Sequence, residues 1–305
     1  MKPAILGRWV GDTEEFFASH WHREPGVFTP AGGAYTSFGL TDAEDALNTG
    51  FFRVPYIEMW EDNALLPARK FTAARTVARE APAGFADHAK IRALLGRGAT
   101  MLLRCLDQWH RPTQEMLAGL AEELGRPVEA FFFVTPAGQP GLPLHRDDAD
   151  VLVIQVAGAK RWRIHEGPAD GNWRAGRIKD DEPQPAELLE TVIRPGQVLY
   201  IPRGFAHRAV GQEGLSAHLS LTIREAGTAD LTDALARHAV AGAGLDALPV
   251  TADALTGTAR TLLENAVRRL SELTPQELVD SARRHRMARM PAATAPLSLT
   301  ETAGR

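Results

Sequence analysis

Short apolar segments separated by glycine or proline fill the middle of the chain, from about residue 130 to residue 224. Regularly spaced segments of this length, with turn residues between them, predict a β-sandwich or barrel. Two of the segments flank Ala157-Gly158, and this dipeptide predicts a hairpin that pairs the strand before it with the strand after it. The five segments are FFFVT, DVLVIQV, KRWRIHE, QVLYIP and AHLSLTI.

Helical spacing is found on both sides of this region. Residues 12–22 are typical of a capped helix start, residues 26–67 of short strands and loops, and residues 113–125 of a helix that ends at a glycine. Residues 230–240 and 252–273 show helical spacing again, and a capping box at 274–277 opens a third helix. We therefore predict an α+β fold, with one domain of residues 1–225 and a helical domain of residues 226–305 whose tail from Pro291 is loose.

The composition is that of an ordinary globular protein, since 44% of the 305 residues are hydrophobic and 24% are charged. A net charge of −4 gives no electrostatic footprint for nucleic acid or for a membrane surface, so we expect neither as a partner. Cys105 is the only cysteine, which excludes a disulfide framework and a zinc site built from thiolates. Neither a secretory apolar core nor a run of about 18 apolar residues is present, so we expect a cytoplasmic protein.

A histidine and an aspartate stand two residues apart in LPLHRDDADVL, directly before an apolar segment. Side chains at this spacing project to the same side of a strand, so His145 and Asp147 can bind one metal ion from one direction. His207, at the end of GQVLYIPRGFAH, is the best candidate for a third ligand. Two histidines and one carboxylate form the facial arrangement typical of non-haem Fe(II) oxygenases.

A lysine follows in a strand that should be burying apolar side chains. Alternation in KRWRIHE puts Lys160 on the same face as Trp162 and Ile164, and we expect that face to be buried. A buried ammonium group requires an anion, which is either a protein carboxylate or a bound dicarboxylate, unless the lysine reaches water at a strand end. The segment SAHLSLTI places His218 and Thr222 on one polar face, which either meets solvent or lines the same pocket.

These segments together resemble the JmjC-type cupin proteins, in particular the ribosomal-oxygenase branch of the Fe(II)- and 2-oxoglutarate-dependent hydroxylases. The resemblance covers most of the first 225 residues. It includes EEFFASHWHREPGVF, ATMLLRCLDQWHRP, FFFVTPAGQPGLPLHRDDADVLVIQVAGAKRW, VIRPGQVLYIPRGFAHRA and SAHLSLTI. It implies a double-stranded β-helix with N-terminal helices, followed by a helical region through which the protein forms a homodimer.

The resemblance also implies roles for the site residues. The Fe(II) ligands fall on His145, Asp147 and His207. The basic residue for the distal carboxylate of 2-oxoglutarate falls on Lys160, and the hydroxyl that assists it falls on Thr222. His218 is expected as a further cosubstrate contact from its place on the polar face of SAHLSLTI, if that face lines the pocket. With O₂ as the second cosubstrate, the implied reaction is hydroxylation of an unactivated C–H bond in an amino-acid side chain of a protein or peptide.

Two departures from the family pattern change what can be expected of the substrate. Phe131 and Phe133 stand near positions where relatives carry asparagine and tyrosine, which makes this side of the pocket drier. The chain is also expected to lack the winged-helix domain of relatives, which weakens the case for a ribosomal-protein substrate. A free amino acid or a natural-product intermediate is the alternative substrate. A non-redox metal-binding cupin and a ligand-binding scaffold are the alternatives of another class.

Overall fold

The computed structural model describes residues 5–179, 181–245 and 247–290. The described chain divides into two compact units. The first comprises the described residues up to Glu123 together with Val128–Arg224, and the second comprises Leu124–Pro127 and Glu225–Met290. The tail predicted to be loose lies outside the described residues. None of the helices in the described ranges has the length and apolar character that crossing a bilayer requires.

All the strands in the described part of the chain belong to the first unit. In chain order they are β1 (Gly26–Phe28), β2 (Ile57–Glu61), β3 (Ala64–Leu65), β4 (Thr72–Ala73), β5 (Phe85–Ala86), β6 (Thr100–Leu103), β7 (Val128–Thr135), β8 (His145–Arg146), β9 (Asp150–Ala157), β10 (Lys160–His165), β11 (Gly176–Arg177), β12 (Glu187–Ile193), β13 (Val198–Ile201), β14 (Ala206–Gly211) and β15 (Ser216–Ile223).

Two antiparallel sheets form the core of this unit. The larger has the strand order β1-β13-β9-β15-β7-β6-β2-β3, and the smaller has the order β11-β8-β14-β10-β12. Apolar side chains of both sheets meet in one buried cluster, in which Val151, Val153 and Leu199 of the larger sheet pack with Trp162 and Ile164 of the smaller. The predicted α+β architecture with a double-stranded β-helix core is confirmed by this topology.

The predicted hairpin at Ala157-Gly158 is wrong. Strand β9 pairs with β13 and β15 in the larger sheet, whereas β10 pairs with β12 and β14 in the smaller sheet. Each strand is interior to its sheet and already has two partners, so the two cannot pair with each other. The chain instead crosses between the sheets at Gly158, whose φ is +57° and where an added Cβ would lie 2.5 Å from the carbonyl oxygen of Glu213.

Helices precede the strands of the first unit and alternate with them along the chain as far as β7. They are α1 (Gly7–Val10), α2 (Thr13–Glu15), a π-helix (Phe16–His20), α3 (Leu40–Asn48), a 3₁₀-helix (Ala68–Lys70), α4 (His88–Gly96), α5 (Leu106–Trp109) and α6 (Arg111–Leu124). The predicted helix before Gly125 is confirmed, and Gly125 adopts a φ of +63° just after it. Helix α3 lies where only strands and loops were expected from the aromatic, glycine and proline residues of this region, and Ala43 is the residue that it fully buries.

The second unit contains α7 (Thr228–Val240), α8 (Ala252–Ser271) and α9 (Pro275–Met287). The predicted capping box of α9 is confirmed, since Thr274 Oγ1 accepts from the backbone N–H of Glu277 and Thr274 N donates to the Glu277 carboxylate.

Within this unit Glu225 pairs with both Arg126 and Arg283 at 2.8 Å. Burial alone would raise the pKa of Glu225, but hydrogen bonds from Arg283 and the charge of Arg126 lower it to about 2.

Candidate metal centre and cosubstrate pocket

Strand pairing brings the three predicted metal ligands together. His145 on β8 and His207 on β14 are directly opposite each other in adjacent antiparallel strands, with ring centroids 4.3 Å apart. Asp147 follows β8, and its carbonyl oxygen accepts a hydrogen bond from Gly204 N at 3.0 Å. The Nε2 atoms of His145 and His207 lie 3.7 and 3.5 Å from the Asp147 carboxylate oxygens. One potential ligand atom from each residue lies within 4.8 Å of the others. We call these residues the metal triad.

Backbone carbonyls orient both imidazoles of the metal triad. The Nδ1 atom of His145 lies 2.7 Å from Pro143 O, and that of His207 lies 3.1 Å from Phe205 O. Because a carbonyl can only accept, each Nδ1 carries the proton and each Nε2 keeps a free lone pair for a metal ion. Burial and the neighbouring His145 lower the pKa of His207 to about 4, so this imidazole is neutral at pH 7. Two imidazoles and one carboxylate fit Fe(II) and similar divalent ions.

Lys160 is buried as predicted, with 1% of its surface exposed. Its Nζ donates to Thr135 Oγ1 at 3.0 Å and lies 3.5 Å from His218 Nδ1. No carboxylate in the described ranges pairs with it, so the protein anion allowed for by the sequence is not found there. Burial lowers the pKa of Lys160 to about 7 from its ordinary value of 10.5. A bound anion would restore the charged form.

A cavity of about 220 Å³ lies between the two sheets and contains both the metal triad and Lys160. Trp162 is near both groups. Its ring centroid lies 6.1 Å from that of the metal ligand His207 and 5.4 Å from that of His218, which neighbours Lys160. The Nε1 of Trp162 and the Nε2 of His218 are buried and have no hydrogen-bond partner among the described residues. Since Lys160 can donate to His218 Nδ1, the Nε2 carries the proton. The pocket therefore offers two N–H donors in need of acceptors.

The two remaining predicted cosubstrate contacts, His218 and Thr222, both lie on β15 and line the cavity. His218, on β15, lines the cavity with its ring stacked on Phe133 at 4.8 Å. Burial, Lys160 and His207 keep the pKa of His218 well below its ordinary value. Thr222 also lines the cavity, but its hydroxyl donates to the carbonyl of Glu129 at 3.3 Å. The face of β15 that carries both residues therefore lines the pocket and does not meet solvent.

The hydroxyl that holds Lys160 belongs to Thr135, which the sequence reasoning missed. A signal for it exists, because strand alternation in FFFVT puts Thr135 on the same face as Phe131 and Phe133. Both phenylalanines line the cavity, as their departure from the family pattern suggested. Near Phe131, the guanidinium of Arg104 lies 5.6 Å from the ring centroid and pairs with Glu58, so this side of the cavity is aromatic with one ion pair.

A buried aspartate ties together the segments that carry the metal triad. Asp150 is fully buried, and its Oδ1 accepts from Tyr200 OH at 2.5 Å and from Arg203 N at 3.1 Å. Its Oδ2 lies 3.1 Å from the Nε2 of His22. Asp148 adds an ion pair to Arg203, with Nε and Oδ1 2.7 Å apart. The chain around Asp147 is thereby fixed to the turn that leads into His207.

The part of the chain that carries this site is similar to known proteins. Residues 106–231 match the JmjC domain, and they include the metal triad and Lys160. The chain is similar to ribosomal oxygenase 1 of Homo sapiens, with 32% identity over 153 residues, which are 48% of this chain and 24% of that protein. It is 33% identical to ribosomal oxygenase 2 of Rattus norvegicus over 126 residues, or 39% of this chain and 27% of that protein. The chain thus matches about a quarter of the length of these relatives.

Solved structures extend the similarity beyond the JmjC domain. The Escherichia coli ribosomal oxygenase YcfD has a TM-score of 0.52 and 19% identity, with 88% of this chain and 68% of that chain covered. A structure of YcfD in complex with cobalt and 2-oxoglutarate has a TM-score of 0.53 and 18% identity, with 88% and 69% covered. At this level of identity the comparison establishes a shared fold, which is the JmjC cupin fold expected from the sequence.

Proposed function

We propose that the protein is an Fe(II)- and 2-oxoglutarate-dependent oxygenase that hydroxylates a C–H bond of an amino-acid side chain in a protein or peptide. The observation that supports this most strongly is the presence of Lys160 in the same cavity as the metal triad. Three ligands alone would suit a redox-inactive ion equally well. A buried ammonium that pairs with no carboxylate of the described residues adds the need for an anionic ligand beside the metal, and 2-oxoglutarate meets that need.

In this proposal each group of residues has a distinct task. The metal triad holds Fe(II), which with 2-oxoglutarate and O₂ supplies the oxidising chemistry that replaces a hydrogen with a hydroxyl group. Lys160, positioned by Thr135, binds the distal carboxylate of 2-oxoglutarate. The N–H groups of Trp162 and His218 donate to cosubstrate oxygens. Apolar and aromatic side chains, including Phe133, keep water away from the reacting groups.

The names of the relatives make ribosomal proteins the first substrates to test. A free amino acid or a natural-product intermediate is the alternative, since the chain matches only part of each curated relative. Candidate peptides and amino acids would be incubated with the protein, Fe(II) and 2-oxoglutarate, and then analysed by mass spectrometry for a gain of one oxygen atom. Succinate release would be measured in the same samples.

Matched variants test whether succinate release depends on the metal triad and on Lys160. We expect succinate release that requires Fe(II) and is lost in His207→Ala and in Lys160→Met, while the surface variant Arg92→Ala behaves as the wild type. Metal binding without any conversion of 2-oxoglutarate, across all candidate substrates, would contradict the proposal and favour a non-redox metal-binding cupin.

We also propose that the protein forms a homodimer through its C-terminal helices. Helix α8 exposes apolar side chains whose spacing puts them on one face, and Leu263 and Val267 are 68% and 71% exposed. A second copy of the same helix would cover this face. We expect a dimer by sedimentation equilibrium, and a monomer when Leu263→Glu is combined with Val267→Glu. The control Thr261→Glu, which adds a charge at an exposed position of α8 away from this face, should stay dimeric, and a monomeric wild type at micromolar concentration would contradict the proposal.

A further inference from the structure

A second cavity of about 390 Å³ shares part of its lining with the cosubstrate pocket. The two cavities have Leu142, Arg208 and Ala209 in common. The lining of the second cavity combines four arginines with an apolar run, and none of its described residues is aromatic. We call it the arginine groove. Its arginines are Arg161, Arg163, Arg177 and Arg208, and its apolar run is Pro140, Leu142, Pro143 and Leu144.

The strand register places positive charges of the arginine groove against each other. Arg163 on β10 and Arg208 on β14 are directly opposite partners in adjacent strands. Like charges in this position destabilise a sheet, so a compensating anion is expected. Arg163 pairs with Glu190 at 3.0 Å and lies 3.7 Å from Glu187. Glu190 is shared, because Arg161 also lies 3.7 Å from it.

Among the ion pairs of the described residues, neither Glu187 nor Glu190 pairs with Arg208. It is exposed, and it has no ion pair within the described ranges of the chain. It also lines the cosubstrate pocket, next in sequence to the metal ligand His207. A ligand anion bound by Arg208 would therefore lie where the lining of the groove meets that of the cosubstrate pocket.

We propose that the arginine groove binds an acidic segment of the polypeptide whose reacting residue enters the cosubstrate pocket. This inference rests on the proposed function, since it assigns the groove to the same substrate. Charge complementarity requires an anionic segment, and the run from Pro140 to Leu144 offers apolar contacts to its side chains. A single-stranded nucleic acid would instead require aromatic faces on which bases stack, and the described lining has none.

Binding of a labelled hexaglutamate peptide, followed by fluorescence anisotropy, tests the inference. The full-length protein would be loaded with Co(II) and saturated with 2-oxoglutarate, so that the probe cannot occupy the cosubstrate site. We expect Arg208→Ala to weaken binding about fivefold, the effect of losing one exposed ion pair of about 1 kcal/mol, and Arg208→Glu to weaken it further. The control Arg194→Ala, which removes an exposed arginine outside the groove, should leave the affinity unchanged.

Other outcomes overturn the inference without touching the proposed function. Hexaglutamate that fails to bind, or binds equally well to Arg208→Ala, removes the groove as an acidic-peptide site. Tighter binding of a 20-nucleotide oligouridylate that also depends on Arg208 would assign the groove to nucleic acid instead. Failure of the proposed function is seen separately, as absent 2-oxoglutarate binding in the wild type.

Discussion

Replacing Lys160 by methionine removes a buried ammonium group while keeping an unbranched side chain of similar reach. In the folded protein without ligand the pKa of Lys160 is about 7, against 10.5 for an exposed lysine. Between these two values the unfolded chain binds one more proton than the folded chain. The free energy of unfolding should therefore rise with pH, by about 1.4 kcal/mol per pH unit. The whole effect is on the order of 5 kcal/mol, and it opposes folding most strongly below pH 7.

Urea unfolding of the wild type and of Lys160→Met, measured between pH 6 and pH 9.5 without 2-oxoglutarate, gives this quantity directly. We expect the wild type to gain stability relative to the variant as the pH rises above about 7. All other titrating groups are common to both proteins and cancel in the difference. A difference that does not change with pH would refute the reasoning, because Lys160 would then keep its ordinary pKa and could not be buried without an anion.

The same lysine makes cosubstrate binding depend on pH in the opposite direction. A dicarboxylate prefers the ammonium form, so its binding should take up a proton above pH 7. The affinity for 2-oxoglutarate should then fall with rising pH, by at most tenfold per pH unit. Calorimetry in buffers of different ionisation enthalpy measures the proton uptake. Equal affinity at pH 7 and pH 9 in the wild type, with an equal value in Lys160→Met, would remove Lys160 from the cosubstrate site.

Three further predictions follow from the other contacts. His207→Ala should weaken Co(II) binding at least about a hundredfold, as measured by competition with a chelator, and unchanged affinity would mean that the ion binds elsewhere. Asp150→Asn should lower the free energy of unfolding by about 1–3 kcal/mol in urea, whereas the exposed control Asp45→Asn should not; equal effects would show that the buried carboxylate contributes nothing. The stability that Glu225 contributes is present above pH 4.5 and is lost as the pH falls towards 2. In Glu225→Gln this loss of stability between pH 4.5 and pH 2 should be absent from the acid-unfolding profile. Identical profiles of the variant and the wild type would contradict the ion pairs of Glu225 with Arg126 and Arg283.

Strand alternation allowed much of the site to be predicted from the sequence. The period of two places His145 and Asp147 on one side, and it places Lys160 with Trp162 and Ile164 on a buried face. The structure agrees on both points, since a pattern of period two depends only on the local backbone. Thr135 could have been found from the same rule.

Other features depend on contacts between segments that are distant in sequence, and they could not be predicted from local sequence patterns. The crossover at Gly158 depends on which strands pair with β9 and β10. The sequence of a turn that contains glycine does not determine these pairing partners. The burial of Asp150 depends on Tyr200 and His22, which are 50 and 128 positions away in the sequence and leave no common pattern. Helix α3 was missed because the aromatic, glycine and proline residues between positions 26 and 67 favour short strands and loops.

Titration of 2-oxoglutarate into the Co(II)-loaded protein, followed by the visible absorption of the metal, tests most directly whether the metal and the cosubstrate share one site. The account predicts one Co(II) per chain, a spectral change that saturates at one 2-oxoglutarate per metal, and loss of both in His207→Ala. If 2-oxoglutarate bound with the same affinity to the metal-free protein and left the Co(II) spectrum unchanged, the metal and the dicarboxylate would occupy separate sites and the account would be contradicted.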